Sequence, residues 1–348
     1  MKIRYASFDV LKGLSCLAIV LIHYNFIGDL GIAVKAMCRF AVPIFFFISG
    51  FFFLSSDYTI ERDRTLRKLK HILSLTIKAG IFYAIFCIVW NFIADPNFNL
   101  LAYTNEIISK AGLFKLVVNN DPLVYSVLWF LLALLYIYLT FLPFNHKKVP
   151  KYLPYIALSL LLIYNFFALP HMYRVITNSI QIGHSSKYII IHNLYLFRAL
   201  PFFLFGVWAK TIENEIRKFK ISKLTILFAV LIGLLLSLDA RFYMGEAGYF
   251  MGTYLVVAVL TIAAIQYPNF QGKGILRYIG QYLSLYVYIL HMAVGKSIDL
   301  LASKLNFASM DIFVWSKAFI VLALSLILSY IVFKISQLDF KRVIPLKK

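Results

Sequence analysis

The 348-residue sequence is poor in charge, and poorest in acid: Asp and Glu together number 15, and all charged types make up 14% of the chain. A soluble domain carries roughly 25% charged residues and about 45–50% apolar ones. Here 61% of residues are hydrophobic and the mean hydropathy is +0.81. Too little polar surface remains to cover a water-soluble globule, and too much apolar surface is present for a disordered chain. A cytosolic enzyme and an unfolded polymer are both excluded. The three cysteines, Cys16, Cys38 and Cys87, are scattered with no C-x-x-C pair. That excludes a disulfide scaffold and a thiolate metal site, and leaves them as small apolar packing residues. There is no Walker-type loop, no G-x-G-x-x-G, no internal repeat and no low-complexity tract.

What the sequence has is long hydrophobic runs. A membrane-crossing helix needs about 20 mostly apolar residues. Ten stretches qualify, at approximately 8–28, 36–56, 70–94, 123–144, 151–170, 192–211, 222–239, 248–267, 276–296 and 313–336. The expected class is all-α: a polytopic integral membrane protein of about ten transmembrane helices, one domain over 1–348, with no appended soluble domain. The first run carries Asp9 and Lys12, has no small-residue cleavage site after it and is followed by nine more, so it reads as a span and not as a signal peptide. The segment 101–117 is only half apolar and carries Glu106, Lys110 and Lys115. It reads as an interfacial or re-entrant helix.

Charge of one sign dominates: 35 Lys and Arg give a net charge of +20. A basic balance often signals nucleic acid. Sorted by the ten-span topology, however, 23 of the 35 fall on the side that holds both termini and 10 on the other. The positive-inside rule makes the richer side cytoplasmic. Orientation explains most of the excess, and no nucleic-acid partner is implied.

Ionisable groups inside spans are the informative ones, since each costs roughly 2.5–3.5 kcal/mol at the helix centre on insertion scales. The first span reads FDVLKGLSCLAIVLIHY. Asp9 and Lys12 are spaced i,i+3 and can pair. His23 lies eleven residues beyond Lys12, about three turns or ~16 Å along the same face. An imidazole there reads either as a general base or as a side chain that only hydrogen-bonds a neighbouring helix. In the second span Arg39 precedes Pro43, which is expected to kink the helix, and Ser49-Gly50 marks a close-packing point or a second break. Arg39 reads as a snorkelling anchor or as the lining of an outer vestibule. The loop into the third span gathers Arg64, Arg67, Lys68, Lys70 and His71. This run is either a topological or anionic-lipid signal, or a seat for a phosphate-rich cytosolic cosubstrate. Trp129, near the outer half of the fourth span, reads as an aromatic-belt or site residue. Arg198 lies inside the sixth before Pro201, and His291 reaches a depth in the ninth comparable to that of His23.

FDVLKGLSCLAIVLIHY, VPIFFFISGFFF, the basic run, LWFL, RALPFFLFG and LYVYILH occur in this order over nearly the whole chain. Together they resemble the membrane-bound acyltransferase-3 family of bacterial O-acyltransferases. The size and single domain look most similar to stand-alone members, of the type that O-acetylates enterobacterial common antigen. The resemblance implies a bacterial inner-membrane enzyme that takes an acyl group, acetyl by default, from cytoplasmic acyl-CoA. The acceptor would be a hydroxyl of an outward-facing or lipid-linked glycan. Acyl-CoA would be a cosubstrate, with no permanently bound cofactor and no metal; membrane lipids complete the expected partners. His23 takes the place of the family's catalytic base. Lys12 stands where the family usually has Arg, which keeps the charge and loses the bidentate fork. The family's Arg-x-x-Arg at the third span falls on Arg64 and Arg67 or, in another register, on Lys68 and His71. With Asp9, these basic residues would hold the acyl-CoA. Arg39, Ser49, Trp129, Arg198 and His291 would hold the acceptor or the developing oxyanion. A glycan or glycolipid exporter without acyl transfer is the alternative, because a cleft lined by His and Arg serves either role. A structural or sensory membrane protein fits less well with charges buried in spans.

Overall fold

The computed structural model describes residues 5–165, 179–181, 188–190, 194–244, 249–270 and 274–343. It is 79% helical with almost no sheet, so the chain is all-α. The helices described are α1 (Ala6–His23), α2 (Gly28–Cys38), α3 (Ala41–Phe51), α4 (Arg62–Ala94), α5 (Leu100–Ile107), α6 (Lys110–Asn119), α7 (Trp129–Phe141) and α8 (Leu153–Ile163). They continue with α9 (Tyr195–Arg198), α10 (Leu200–Thr211), α11 (Glu213–Lys218), α12 (Lys223–Met244), α13 (Met251–Gln266), α14 (Ile275–Tyr278), α15 (Ser284–Lys304) and α16 (Asp311–Val343). Two two-stranded ribbons accompany them: Thr59–Ile60 pairs antiparallel with Lys147–Lys148, and Ser179–Gln181 with Tyr188–Ile190.

Six segments are long and apolar enough to cross a membrane: Ala6–His23, Gly28–Phe51, Arg62–Ala94, Lys223–Phe242, Ile275–Lys304 and Asp311–Leu338. The four remaining hydrophobic runs form shorter apolar helices at Ser126–Phe141, Leu153–Ile163, Leu200–Thr211 and Met251–Gln266. An 11-residue helix rises only about 16 Å, roughly half the hydrocarbon thickness. Several long helices turn large apolar side chains outward. On α4, Leu73, Ile77, Ile81, Ile85 and Val89 recur every fourth residue and are all exposed. A stripe of that kind on a long helix faces lipid.

The boundaries differ from the sequence reading in four places. The first span was expected to run to residue 28, but α1 ends at His23. Tyr24 leaves the helix to dock its ring against Gly295 and donate to the Met292 carbonyl (3.2 Å). The chain restarts at Gly28, whose φ of +61° is left-handed and suits glycine. Second, the expected Pro43 kink is a full break at Arg39 and Phe40. Pro43 has no N–H to bond the Arg39 carbonyl four residues back, and its ring crowds that carbonyl. Third, the run that carries Arg198 is not one continuous helix. Arg198 ends α9, and Ala199 separates it from α10, which has Pro201 in its first turn. Fourth, the segment 101–117 is not one helix but α5 and α6, divided at Ile108 and Ser109.

The described chain forms two compact units: Met1–Val42 with Lys220–Arg241 and Met251–Lys348, and Pro43–Phe219 with Phe242–Phe250. In the first unit α1 is the central helix. It lies backbone-to-backbone on the α14–α15 segment, where Ile279–Leu283 form a π turn. A Cβ on Gly13 would collide with the Leu276 carbonyl, and one on Gly280 with the Asp9 carbonyl. Two glycines thus permit the approach, as small residues do in membrane bundles. Ser7 Oγ donates to the Ala264 carbonyl (2.7 Å), tying α1 to the end of α13. In the second unit α3 and α10 approach through Gly50 and Gly206, whose Cβ atoms would strike the Phe203 and Phe47 carbonyls. The Phe53, Tyr138, Phe141 and Phe203 rings pack around this crossing.

Candidate functional site

The first unit holds a histidine pair. His23 is the last residue of α1 and is exposed, while His291 on α15 is fully buried. Their ring centroids are 5.3 Å apart. His291 Nδ1 lies 2.9 Å from the Val287 carbonyl. A carbonyl only accepts, so Nδ1 carries the proton and donates, which leaves Nε2 as the acceptor nitrogen of the neutral ring. Nε2 is buried and has no hydrogen-bond partner among the described residues. The buried ring is fixed at one nitrogen and uncommitted at the other, beside an accessible imidazole. At the opposite end of α1, Lys12 Nζ and Asp9 Oδ1 are 2.7 Å apart, and both side chains are partly buried. The lysine charge expected to meet a cosubstrate is already balanced within its own helix. Arg39 occupies the break between α2 and α3.

The second unit holds the other sequence candidates. Arg198 lies over the Trp129 ring at 4.0 Å, a cation–π contact worth about 0.5–2 kcal/mol depending on desolvation. Phe46 packs against Trp129 at 5.9 Å. Ser49 donates to the Phe45 carbonyl at 2.8 Å, a bond within its own helix that commits the O–H and leaves the oxygen lone pairs as acceptors.

The basic run divides by helical face. Arg64 Nη2 and Lys68 Nζ, one turn apart on α4, both donate to the Phe52 carbonyl just past the end of α3, at 3.2 and 2.9 Å. A helix C-terminus leaves carbonyls without intrahelical donors and carries partial negative charge, so cations settle there. Arg67 and His71, likewise one turn apart, are exposed. Each of the two registers that were open in the sequence, Arg64 with Arg67 and Lys68 with His71, therefore has one member on the face bound to α3 and one on the face turned outward.

Sequence reading missed a charge cluster beside this one. Glu213 is 6% exposed; it forms ion pairs with Lys210 and with Arg217, whose Nη2 lies 3.1 Å from its Oε1. Lys210 also sits 5.0 Å from the Phe51 ring centroid. The spacings i,i+3 and i,i+4 around Glu213 were the available signal.

A model of the acyltransferase domain of the acyltransferase-3 type matches residues 5–334. The chain therefore belongs to the acyltransferase-3 family and is a membrane acyltransferase. Comparisons with curated proteins and with solved structures return no significant match.

Proposed function

We propose that the protein is an acyl-CoA-dependent O-acyltransferase, with acetyl as its acyl group and a hydroxyl of a cell-surface or lipid-linked glycan as acceptor. It acts in a bacterial inner membrane with both termini cytoplasmic, following the excess of Lys and Arg on that side. The observation that carries the reading is the histidine pair: an exposed imidazole backed by a buried one with an uncommitted acceptor nitrogen.

In this reading His291 Nε2 accepts the N–H of one His23 nitrogen, which presents the other His23 nitrogen as a base. That nitrogen takes the proton of the acceptor hydroxyl as its oxygen attacks the thioester carbonyl. The tetrahedral oxyanion collapses, the C–S bond breaks, and the imidazolium returns its proton to the leaving thiolate. The products are an O-acyl ester and free CoA thiol, with His23 neutral again. Arg39 is assigned to the oxyanion or the acceptor, and Arg198 on its Trp129 platform to the acceptor. Arg67 and His71 are among the exposed basic groups left to meet the phosphates of acyl-CoA, because Arg64 and Lys68 hold α3.

The test uses the full chain in lipid nanodiscs with acetyl-labelled acetyl-CoA and a lipid-linked glycan extract. Label is expected in the glycan with wild type and not with His23→Ala. No acetyl-CoA binding by wild type, together with normal glycan acylation in cells carrying His23→Ala, would overturn the enzyme reading in favour of export.

A further inference from the structure

A cleft of about 370 Å³ opens among α5, α6 and the segment leading to α7, lined by Tyr103, Glu106, Ser109, Lys115, Asp121 and Leu123 among others. It lies outside the six membrane-length segments, and no role described so far uses it. Its volume falls at the lower end of the range for small-molecule sites.

The cleft is built on capped and anchored elements. Asn99 caps α5 by accepting from Ala102 N (3.0 Å), and Ser109 caps α6 by accepting from Gly112 N (3.0 Å). Asn120 ends α6 in the left-handed region at φ +53°, a conformation Asn tolerates. The Asp121 N–H then turns back to the Lys115 carbonyl (3.2 Å), which folds the chain over the end of α6 beside Lys115. Tyr136 donates to the Leu116 carbonyl (2.6 Å), anchoring α6 to α7. Tyr125 stacks on Tyr83 of α4, with centroids 4.5 Å apart and planes 13° from parallel. The walls are therefore held before any ligand arrives.

The lining is chemically mixed. Glu106 and Asp121 supply acceptors, Lys115 supplies donors, and Tyr103 and Ser109 carry hydroxyls. Burial, followed by the neighbouring Cys87, pushes the Tyr103 phenol up to about 12, so it keeps its proton at physiological pH. Burial also raises the Asp121 carboxyl from its ordinary value, and Lys115 opposes that shift. Ile107 and Leu123 give apolar wall. Two carboxyl groups against one ammonium disfavour a phosphate or another anion. No group of three metal-ligating side chains gathers among the described residues, which disfavours a bound divalent cation. A neutral molecule with many hydroxyls and apolar C–H faces satisfies both kinds of lining.

We infer that this cleft binds a neutral saccharide, with Glu106 and Asp121 accepting from sugar hydroxyls and Lys115 donating to a sugar oxygen. That the bound sugar belongs to the acyl acceptor rests on the proposed function; that a sugar binds does not.

The experiment is saturation-transfer NMR on the full chain in zwitterionic nanodiscs. The probes are N-acetylglucosamine, maltose and, as the anionic counterpart, glucose 6-phosphate. Neutral sugars are expected to receive saturation, and glucose 6-phosphate to bind more weakly. Glu106→Gln and Asp121→Asn should each weaken neutral-sugar binding about tenfold, the cost of a charge-assisted hydrogen bond. Leu123→Trp fills the cleft without touching its charges and should abolish binding, so the proposal stays testable if a carboxylate variant misfolds. His23→Ala should bind sugar like wild type. No saturation of either neutral sugar, tighter binding of the phosphate sugar, or unchanged binding in the folded variants would overturn the cleft. Absence of acyl transfer by the wild type, with its sugar binding intact, would overturn the enzyme reading and leave the cleft standing.

Discussion

The helix that carries His23 and the helix that carries the basic run solve the same problem in opposite ways. Of the apolar windows in the two helices, 61% of α1 is buried but only 17% of α4. In α1, inside the first unit, charge is tolerated because it is cancelled locally, Asp9 against Lys12, and because glycines let neighbouring backbone come close. In α4, inside the second unit, all the basic residues but Lys78 lie in the first three turns, and the helix presents an apolar stripe outward. Two of those basic residues serve as cap for α3. Among the described polar groups of the first unit, the buried His291 Nε2 retains unused bonding capacity beside His23. Those of the second unit are partly consumed by the architecture. The difference sets the first unit's histidines, on which the proposed chemistry rests, apart from the second unit's cations, two of which hold α3.

The largest effect tests that assignment. His23→Ala should reduce acyl transfer by about 10²–10⁴-fold, the range for removing a general base, while the thermal unfolding midpoint in detergent stays near wild type because His23 is exposed. A residual rate near wild type would remove the histidine pair from the chemistry. His291→Phe should follow with a loss of about 10²-fold in kcat, as expected for a misplaced catalytic group, and with KM for acyl-CoA little changed. A pH–rate profile separates positioning from packing. If His291 orients His23, the profile of His291→Phe changes shape; if it only fills space, the profile keeps its shape at reduced height.

A third prediction concerns the approach that brings the pair together. Gly280→Ala places a Cβ against the Asp9 carbonyl, and backbone cannot yield as a flexible side chain does. Overpacking of this kind costs about 1–3 kcal/mol. Both stability and activity should fall, measured as unfolding midpoint and turnover in the same preparation. Equal stability with unchanged activity would mean that α1 and the π-turn segment are not held as closely as described.

These outcomes bear on how much was legible in advance. The hydrophobic runs were legible because composition alone reports them, and six emerged as membrane-length segments. The Asp9–Lys12 pair was legible because both residues sit on one helix, where spacing fixes geometry. The depth of His23 and His291 along their helices could be counted, but their facing each other could not. Rotation about a helix axis is set by packing, here by Gly13 and Gly280 and by a π turn that hydrophobic periodicity does not reveal. The end of α1 at His23 was missed because Tyr24, Phe26 and Ile27 continue the apolar run, and only the Tyr24 contacts with Gly295 and Met292 show why the helix stops. The division at Ser109 had a readable sign, a serine ahead of a helix start, that the apolar count over 101–117 obscured.

The smallest effect is also the one that separates the two faces of the basic run. Arg64→Gln and Lys68→Gln each remove one donor from the Phe52 carbonyl, and each should cost about 1 kcal/mol, the net value of a hydrogen bond, with KM for acyl-CoA near wild type. Arg67→Gln with His71→Gln should do the reverse: stability unchanged within about 0.5 kcal/mol, as for ordinary surface substitutions, and KM for acyl-CoA raised several-fold with kcat intact. The two faces differ in which nitrogens are already hydrogen-bonded. A guanidinium bonded to a helix-terminal carbonyl can meet a phosphate only by giving up that bond or sharing its remaining N–H groups, whereas an exposed one gives up nothing but water. If the four substitutions raise KM alike, Phe52 releases its cations when the cosubstrate binds, and the capping seen in the structure belongs to the empty state. If none raises KM, the run is a topological signal, and the phosphates are met elsewhere.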